Sequence, residues 1–438
     1  MTREHNWADN YTFKAARIHR PASIDEVRRL VAGSARVRAL GTRHSFNGLA
    51  DSAGDLIDLS GIDPDFAIDR ERQTVTVGAA TRYGPLASHL HAQGFALHNM
   101  GSLPHISVAG ATATGTHGSG DRNGTLSTAV VGLELVTGDG DIVRVRRGDA
   151  GFDGMVVGLG AFGVVTRVTL EIQPSFDMRQ DGFVDLPWTA VLDNLDEVTS
   201  AAYSVSLLTM WSQATVGRLW LKTRLTEDGP LEVTAAHLGA TAAPHVVSTG
   251  PDDPADRLNP FGVAGPWSER LPHFRLDREP GPDEQIQSEY MVPRSQAMVA
   301  LARLRAIGGR IDPHLHVTEI RTMAADALWL SPSYGEDSVA IHFTWKKEPD
   351  AVDAITAEIE DMLLPLGARP HWGKLMHARA DRIAQLYPRL PDFRALADSY
   401  DPGGKFRNEF LAEHVFGSSA GQDQASTSLH DDRTAAAR

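Results

Sequence analysis

Gly101-Ser-Leu-Pro-His-Ile-Ser-Val-Ala-Gly110-Ala-Thr-Ala-Thr-Gly115-Thr-His-Gly118-Ser-Gly120 is the second half of a run, residues 83–120, without a single Asp, Glu, Lys or Arg. At the chain's 22% charged content, roughly eight charges would be expected over this length. Gly, Ser, Thr, His and Pro stud the run throughout, so it is no membrane span. Small side chains let backbone N–H groups come close to a phosphate, and the missing carboxylates avoid repelling one. A plain buried loop has the same composition. On composition alone the two readings stand level.

Outward from this run the first third alternates helix and strand signals. Ser23 and Glu26 make a capping box ahead of Val27, Leu30 and Val31 at helical spacing. A strand over residues 37–40 runs into the loop Gly41-Thr42-Arg43-His44-Ser45. Residues 55–60 and 73–79 read as strands. Residues 85–93 read as a helix with Gly94 at its C-terminal cap. A hairpin over 128–137 and 141–145 turns at Asp139-Gly140. Gly158-Leu-Gly160-Ala-Phe-Gly163 matches GxGxxG, a fingerprint that needs a helix after it to bind a pyrophosphate. Val164, Val165, Thr166, Val168, Thr169 and Ile172 follow instead, and such β-branched density makes a strand. The motif is therefore read as a glycine-rich turn packed against backbone.

The texture changes near Pro174. Residues 203–210 and 216–225 read as strands, and 228–282, rich in Pro, Gly and Asp, receives no assignment. A helix over 296–307 stops at Gly308-Gly309, strands follow over 311–323 and 338–345, and Val352, Ile355, Ile359 and Met362 mark an amphipathic helix. This predicts an α+β unit with an antiparallel sheet. His314, His316 and Glu319 look like metal ligands, but strand parity puts the two histidines on one face. Glu319 and Arg321 project from the other, beside Leu315 and Val317, and no metal site is expected. His342 and Thr344 share a face of the next strand, and Lys374 follows His371-Trp372 on a third.

With 438 residues, 42% hydrophobic, the chain has room for two or three domains. A net charge of −14 with no basic cluster argues against nucleic acid. It suits a neutral or cationic substrate, or an anionic one met by a local basic site. Cysteine is absent, which excludes thiolate chemistry and disulfides. Residues 1–13 lack the apolar core of a signal peptide and no apolar run reaches membrane length, so no membrane partner and a cytoplasmic location are expected.

Taken in order, five segments carry a resemblance: the Gly41–Ser45 loop, the small-residue run, 158–166, His371-Trp-Gly-Lys374 and Asp401-Pro-Gly-Gly-Lys-Phe-Arg-Asn408. Together they resemble the vanillyl-alcohol-oxidase (PCMH-type) family of FAD enzymes, in its sugar-alcohol and aldonolactone oxidase branch, over about residues 8–416. The resemblance implies an α+β, two-domain FAD-binding fold. Residues 1–175 would form the FAD domain and 176–378 a substrate domain with an antiparallel sheet. Residues 379–416 would return to the FAD domain, and 417–438 would be a disordered tail. It implies FAD joined covalently to His44 through the flavin 8α-methyl group. Gly41, Thr42, Arg43, Ser45, Ser102, Ser107, Gly110 and Ala111 are implied as further contacts. So are Thr114, Gly115, His117, Gly118, Val165 and His371. Substrate would meet Ser102, Glu319, Arg321, His342, Thr344 and Lys374, with Lys374 and Arg321 as the catalytic cations. The implied reaction turns the terminal hydroxyl of an alditol such as xylitol or sorbitol into the aldehyde and reduces O2 to hydrogen peroxide, in a monomer. An aldonolactone oxidase or dehydrogenase is the alternative. Gly101 resembles a position beside the flavin carbon that oxygen attacks, where a larger side chain would crowd the approach. The other reading of Gly101 is a need for positive φ.

Overall fold

The computed structural model describes residues 4–225, 234–243, 257–278 and 285–417. The tail expected beyond Gly417, and parts of the unassigned 228–282 stretch, lie outside the described residues.

Near the amino terminus, Val37–Leu40 pairs in parallel with Asp55–Asp58, which pairs in turn with Arg17–His19. The helix Ile24–Gly33 lays Val27 and Val31 against Val37 and Ile57. Ser23 Oγ accepts from Glu26 N, while Glu26 Oε2 accepts from Ala22 N, so the reciprocal arm of the box lands one residue early. A five-stranded antiparallel sheet follows in the order Phe66–Asp69, Thr74–Gly78, Val164–Glu171, Val130–Val136, Ile142–Arg146. Val164–Glu171 buries Val164, Thr166, Val168 and Leu170 in strict alternation, which is why the glycines before it cannot open a helix. A Cβ on Gly158 would lie 2.4 Å from Met155 O, and one on Gly163 2.5 Å from Val136 O. Close backbone packing is what requires glycine at both.

Among the described residues a further sheet holds nine strands, all antiparallel. Along it run Thr241–Ala243, Asp177–Pro187, Thr215–Arg224, Ser204–Thr209, Leu315–Met323, Ser338–Lys346, Gln285–Pro293 and Arg369–Pro370, with Ala264–Pro266 also on Asp177–Pro187. Its covered face carries Leu207, Leu219, Ile320, Ile341, Phe343 and Trp345 against the helices Ala297–Ala306 and Pro349–Leu363.

Three expectations are corrected here. Helix Ala297–Ala306 does not end the helical stretch at Gly308-Gly309, because Gly308–Ile311 forms another turn and Asp312–His314 a 3-10 turn. The strand therefore begins at Leu315, and a bulge between Leu315 and Val317 resets its parity. Leu315 packs in the core with Ile320, whereas Val317 faces away with Glu319 and Arg321. Lys374 lies in a turn after the two-residue strand Arg369–Pro370, its N–H donating to His371 O.

The carboxyl end returns to the amino-terminal sheets. Phe406 completes the cluster of Val27, Val31, Val37 and Ile57, and Val37 N donates to Lys405 O at 3.1 Å. Asn408 Nδ2 donates to the carbonyls of Gly48, Leu49 and Asp51, and its Oδ1 caps Leu411 N. Among the described residues no helix is long and apolar enough to cross a membrane.

Candidate active site

Strand alternation builds one wall of the site. In Gln285–Pro293, Ile286, Tyr290 and Val292 enter the core, which leaves Gln285, Gln287 and Glu289 on the opposite face. Register sets Glu319 beside His342 and His342 beside Glu289; Val317, Thr344 and Gln287 form the next row. Arg321 stands opposite Ala340, whose methyl group leaves the guanidinium room to cross diagonally.

Glu289 is the hub of this wall, with 1% of its surface exposed. It accepts from Arg321 Nη2 at 2.8 Å and from Lys374 Nζ at 2.7 Å, and His117 Nε2 lies 3.0 Å away. Burial opposes ionisation, yet Lys374, His117 and Arg321 together hold its carboxyl well below the usual range. Glu319 is held down against burial in the same way by Arg321 and by His273, whose Nε2 lies 2.6 Å from Oε1. Arg321 Nη1 also donates to Ser102 Oγ at 3.2 Å. Burial, reinforced by Lys374, pushes His342 down to about 4, so the ring is neutral. Neither of its ring nitrogens has a hydrogen bond among the described residues. Burial lowers the Lys374 ammonium from its ordinary value, against the pull of Glu289.

This wall closes one end of a cavity of about 420 Å³ that extends to the Gly41–Ser45 loop and the helix Val108–Ala113. Gly41, Thr42, Arg43, His44 and Ser45 all line it. Arg43 takes a left-handed conformation, φ 62°, and His44 stacks on Trp7 at 5.3 Å. Ser107 N donates to Thr42 Oγ1, tying the loop to the helix. Ser102, Ser107, Gly110, Ala111 and Thr114 line the same space, as do His117, Val165 and His371. His371 accepts from Gly373 N at Nδ1, and burial followed by Lys374 keeps it neutral.

Gly115 and Gly118 do not line the cavity. A Cβ on Gly115 would meet Pro332 Cδ at 2.6 Å, and one on Gly118 would meet Asn99 Oδ1 at 2.3 Å. Neither position has room for a side chain, and Gly115 also takes a left-handed conformation, φ 69°. Gly101 lines the cavity without positive φ, and a Cβ there would have only ordinary contacts of 3.7 Å or more. The backbone reading of Gly101 is thereby set aside.

Comparison with known proteins decides the family. An FAD-binding domain model matches residues 15–146, and a D-arabinono-1,4-lactone oxidase model matches residues 282–414. Alditol oxidase of Streptomyces sp. (strain IKD472 / FERM P-14339) is 45% identical over 416 residues, 94% of this chain and 99% of its own. The chain belongs to the alditol oxidase family. It is an FAD-dependent oxidoreductase of the vanillyl-alcohol-oxidase type, as the sequence motifs imply. L-gulono-1,4-lactone dehydrogenase of Mycobacterium tuberculosis (strain ATCC 25618 / H37Rv) is 29% identical over 92% of this chain and 97% of its own. Mouse L-gulonolactone oxidase is 27% identical over 94% and 97%. Cholesterol oxidase from B. sterolicum superposes with a TM-score of 0.77 at 15% identity, covering 94% of this chain and 96% of its own. That likeness shows the two-domain α+β fold.

The residues of this alditol oxidase relative fit FAD at the loop end of the cavity. Arg38 lines it, buried, and donates to the carbonyls of Leu159, Gly160 and Phe406 rather than to a carboxylate; its Nε has no partner among the described residues. A cation among small uncharged residues suits a pyrophosphate. His314, by contrast, leaves the site altogether, 2.6 Å from Glu348 at the surface. His316 reaches the cavity because the bulge turns it there beside Val317. Among the described residues no three His, Asp or Glu side chains could hold a metal ion. The sequence reading missed Glu289, Lys222 and His273. The alternation Gln-Ile-Gln-Ser-Glu-Tyr over 285–290 was the available signal for the first. The other two had none.

Proposed function

We propose that this protein oxidises the terminal hydroxyl of a sugar alcohol to the aldehyde and passes the electrons to O2, giving hydrogen peroxide. Residues 1–175 with 379–416 would hold FAD, bonded covalently to His44, and residues 176–378 would hold the substrate. The 45% identity to an alditol oxidase supports the substrate class. The observation that carries the reading is the polar wall of Glu289, Glu319, Arg321, His342 and Lys374 at one end of the FAD cavity.

When bound, the flavin supplies the hydride acceptor. Lys374 and Arg321 hold the reacting hydroxyl and favour its alkoxide as the proton passes to solvent. Glu289 keeps both cations on the cavity axis. Glu319, His342, Thr344 and Ser102 pair with the remaining hydroxyls. Polar groups buried here without partners cost about 1–3 kcal/mol each, which favours a polyol over an apolar alcohol.

Peroxide release with xylitol and with gulonolactone tests the reading. Turnover of xylitol with stoichiometric peroxide is expected. Turnover of the lactone alone would move the protein to the lactone oxidases. Acid precipitation of fresh enzyme tests the covalent bond: yellow colour should stay with the polypeptide, and flavin recovered wholly in the supernatant would remove His44 from that role.

A further inference from the structure

Lys222 is 1% exposed, in the strand Thr215–Arg224. An ammonium buried this deeply needs an acceptor for each of its three N–H groups. It has three. Lys222 Nζ donates to the carbonyls of Leu271 and Pro272 and to His273 Nδ1 at 2.9 Å. With Nδ1 accepting, the single proton of a neutral imidazole sits on Nε2, and that N–H donates to Glu319 Oε1 at 2.6 Å. Burial, together with Lys222, pushes His273 down to about 4, which keeps the ring neutral. Trp220 stands edge-on to the imidazole at 4.9 Å and fixes its plane. The backbone N–H groups of His273 and Phe274 both donate to Ser102 O, so one segment steadies both Ser102 and Glu319.

An apolar side chain would fill the volume of Lys222 without the cost of a buried charge. Burial lowers Lys222 to about 7 against the pull of Glu319, and what its charged form adds is a fixed tautomer. Without it His273 is free to carry its proton on Nδ1 and to turn a lone pair towards the Glu319 carboxylate. We propose that Lys222 and His273 are positioning residues that hold Glu319 ionised with Oε1 engaged and Oε2 reserved for a non-reacting hydroxyl of the substrate. This makes the pair a determinant of polyol selection, and it rests on the reading of Glu319 as a hydroxyl acceptor.

Rapid anaerobic mixing of the flavin-loaded enzyme with xylitol separates the dissociation constant from the limiting rate of reduction. Losing a hydrogen bond to a charged group weakens binding roughly ten- to a hundredfold. His273→Leu should weaken xylitol binding by about that factor, with the limiting rate changed less than about threefold. His273→Gln, which keeps an N–H for Glu319, should recover most of the affinity. Lys222→Met should shift in the direction of His273→Leu. Equal losses in the Leu and Gln variants, or an unchanged dissociation constant in His273→Leu, would overturn the proposal. Glu319→Gln, measured alongside, tells two failures apart. If it too leaves xylitol binding unchanged, the acceptor role of Glu319 fails. If it weakens binding while His273→Leu does not, the positioning pair alone fails.

Discussion

Lys374 faces a carboxylate that already serves Arg321, so its ammonium is held in place and yet shares its partner. A group placed in this way can favour an alkoxide without sealing itself into a closed ion pair. Lys374→Ala should lower the limiting rate of flavin reduction by roughly 10²–10⁴, measured by rapid mixing on folded, flavin-loaded protein. His314→Ala should leave that rate nearly unchanged, because the ring sits at the surface beside Glu348. The reverse pattern would sink the assignment of Lys374. Gly101 gives a second prediction. With no positive φ and free space at its Cβ, Gly101→Val should fold, slow the reaction of reduced enzyme with oxygen and change reduction by polyol much less. Equal oxygen rates in both proteins would exclude Gly101 as an oxygen path. At this scale two polar residues two apart on a strand gave a usable signal at two places and a misleading one at His314 and His316, which the structure separates. Glu319 with Arg321 and His342 with Thr344 both announce a polar face. Glu289 stayed hidden because its partners are Arg321 of a different strand, Lys374 in its turn and His117 in the small-residue run, none of which is near it in sequence.

Strands and turns explain what the residue pattern alone could not. Period-two parity is reliable only while the ladder is regular, and the bulge between Leu315 and Val317 sends Leu315 inward and His316 to the cavity. No side-chain pattern marks a bulge of this kind, so parity counted along the sequence fails at Leu315. The segment around His273 was unreadable for another reason. It has little regular structure, and its backbone groups are satisfied by Lys222, Asn259 and Ser102 from distant parts of the chain. The segment 401–408 carries part of the family resemblance, and Asn408 shows what that motif does mechanically. One side chain serves three carbonyls of the Gly48–Ala50 turn and its flank, close to the His44 loop. Asn408→Ala should cost about 2–3 kcal/mol, since several polar groups lose partners together. Flavin content per polypeptide should fall with it. Full flavin content with an unchanged denaturation midpoint would show that the staple is dispensable.

For the molecule as a whole, the neutral buried histidines set the response to acid. His273 and His342 ionise near pH 4 in the folded chain, against about 6.5 when unfolded. The unfolded chain therefore takes up these protons first, and stability rises with pH between the two values and is lost on acidification. Each ring should cost about 2 kcal/mol at pH 5 relative to pH 7.5. Glu289 and Glu319, held low, contribute stability that is present above about pH 4.3 and is lost only below it, so the histidine loss comes first. Denaturant midpoints at the two pH values should show His342→Asn losing about 2 kcal/mol less than wild type. Identical losses would mean that His342 takes up its proton equally in both states. The return of the chain end has a further consequence, for synthesis. Phe406 belongs to the same packed cluster as Val37, but emerges from the ribosome roughly 370 residues later. At about 5–20 residues per second, the first sheet waits some 20–70 seconds for its last apolar partner. Until then the nascent chain exposes an unfinished apolar surface for chaperones to cover.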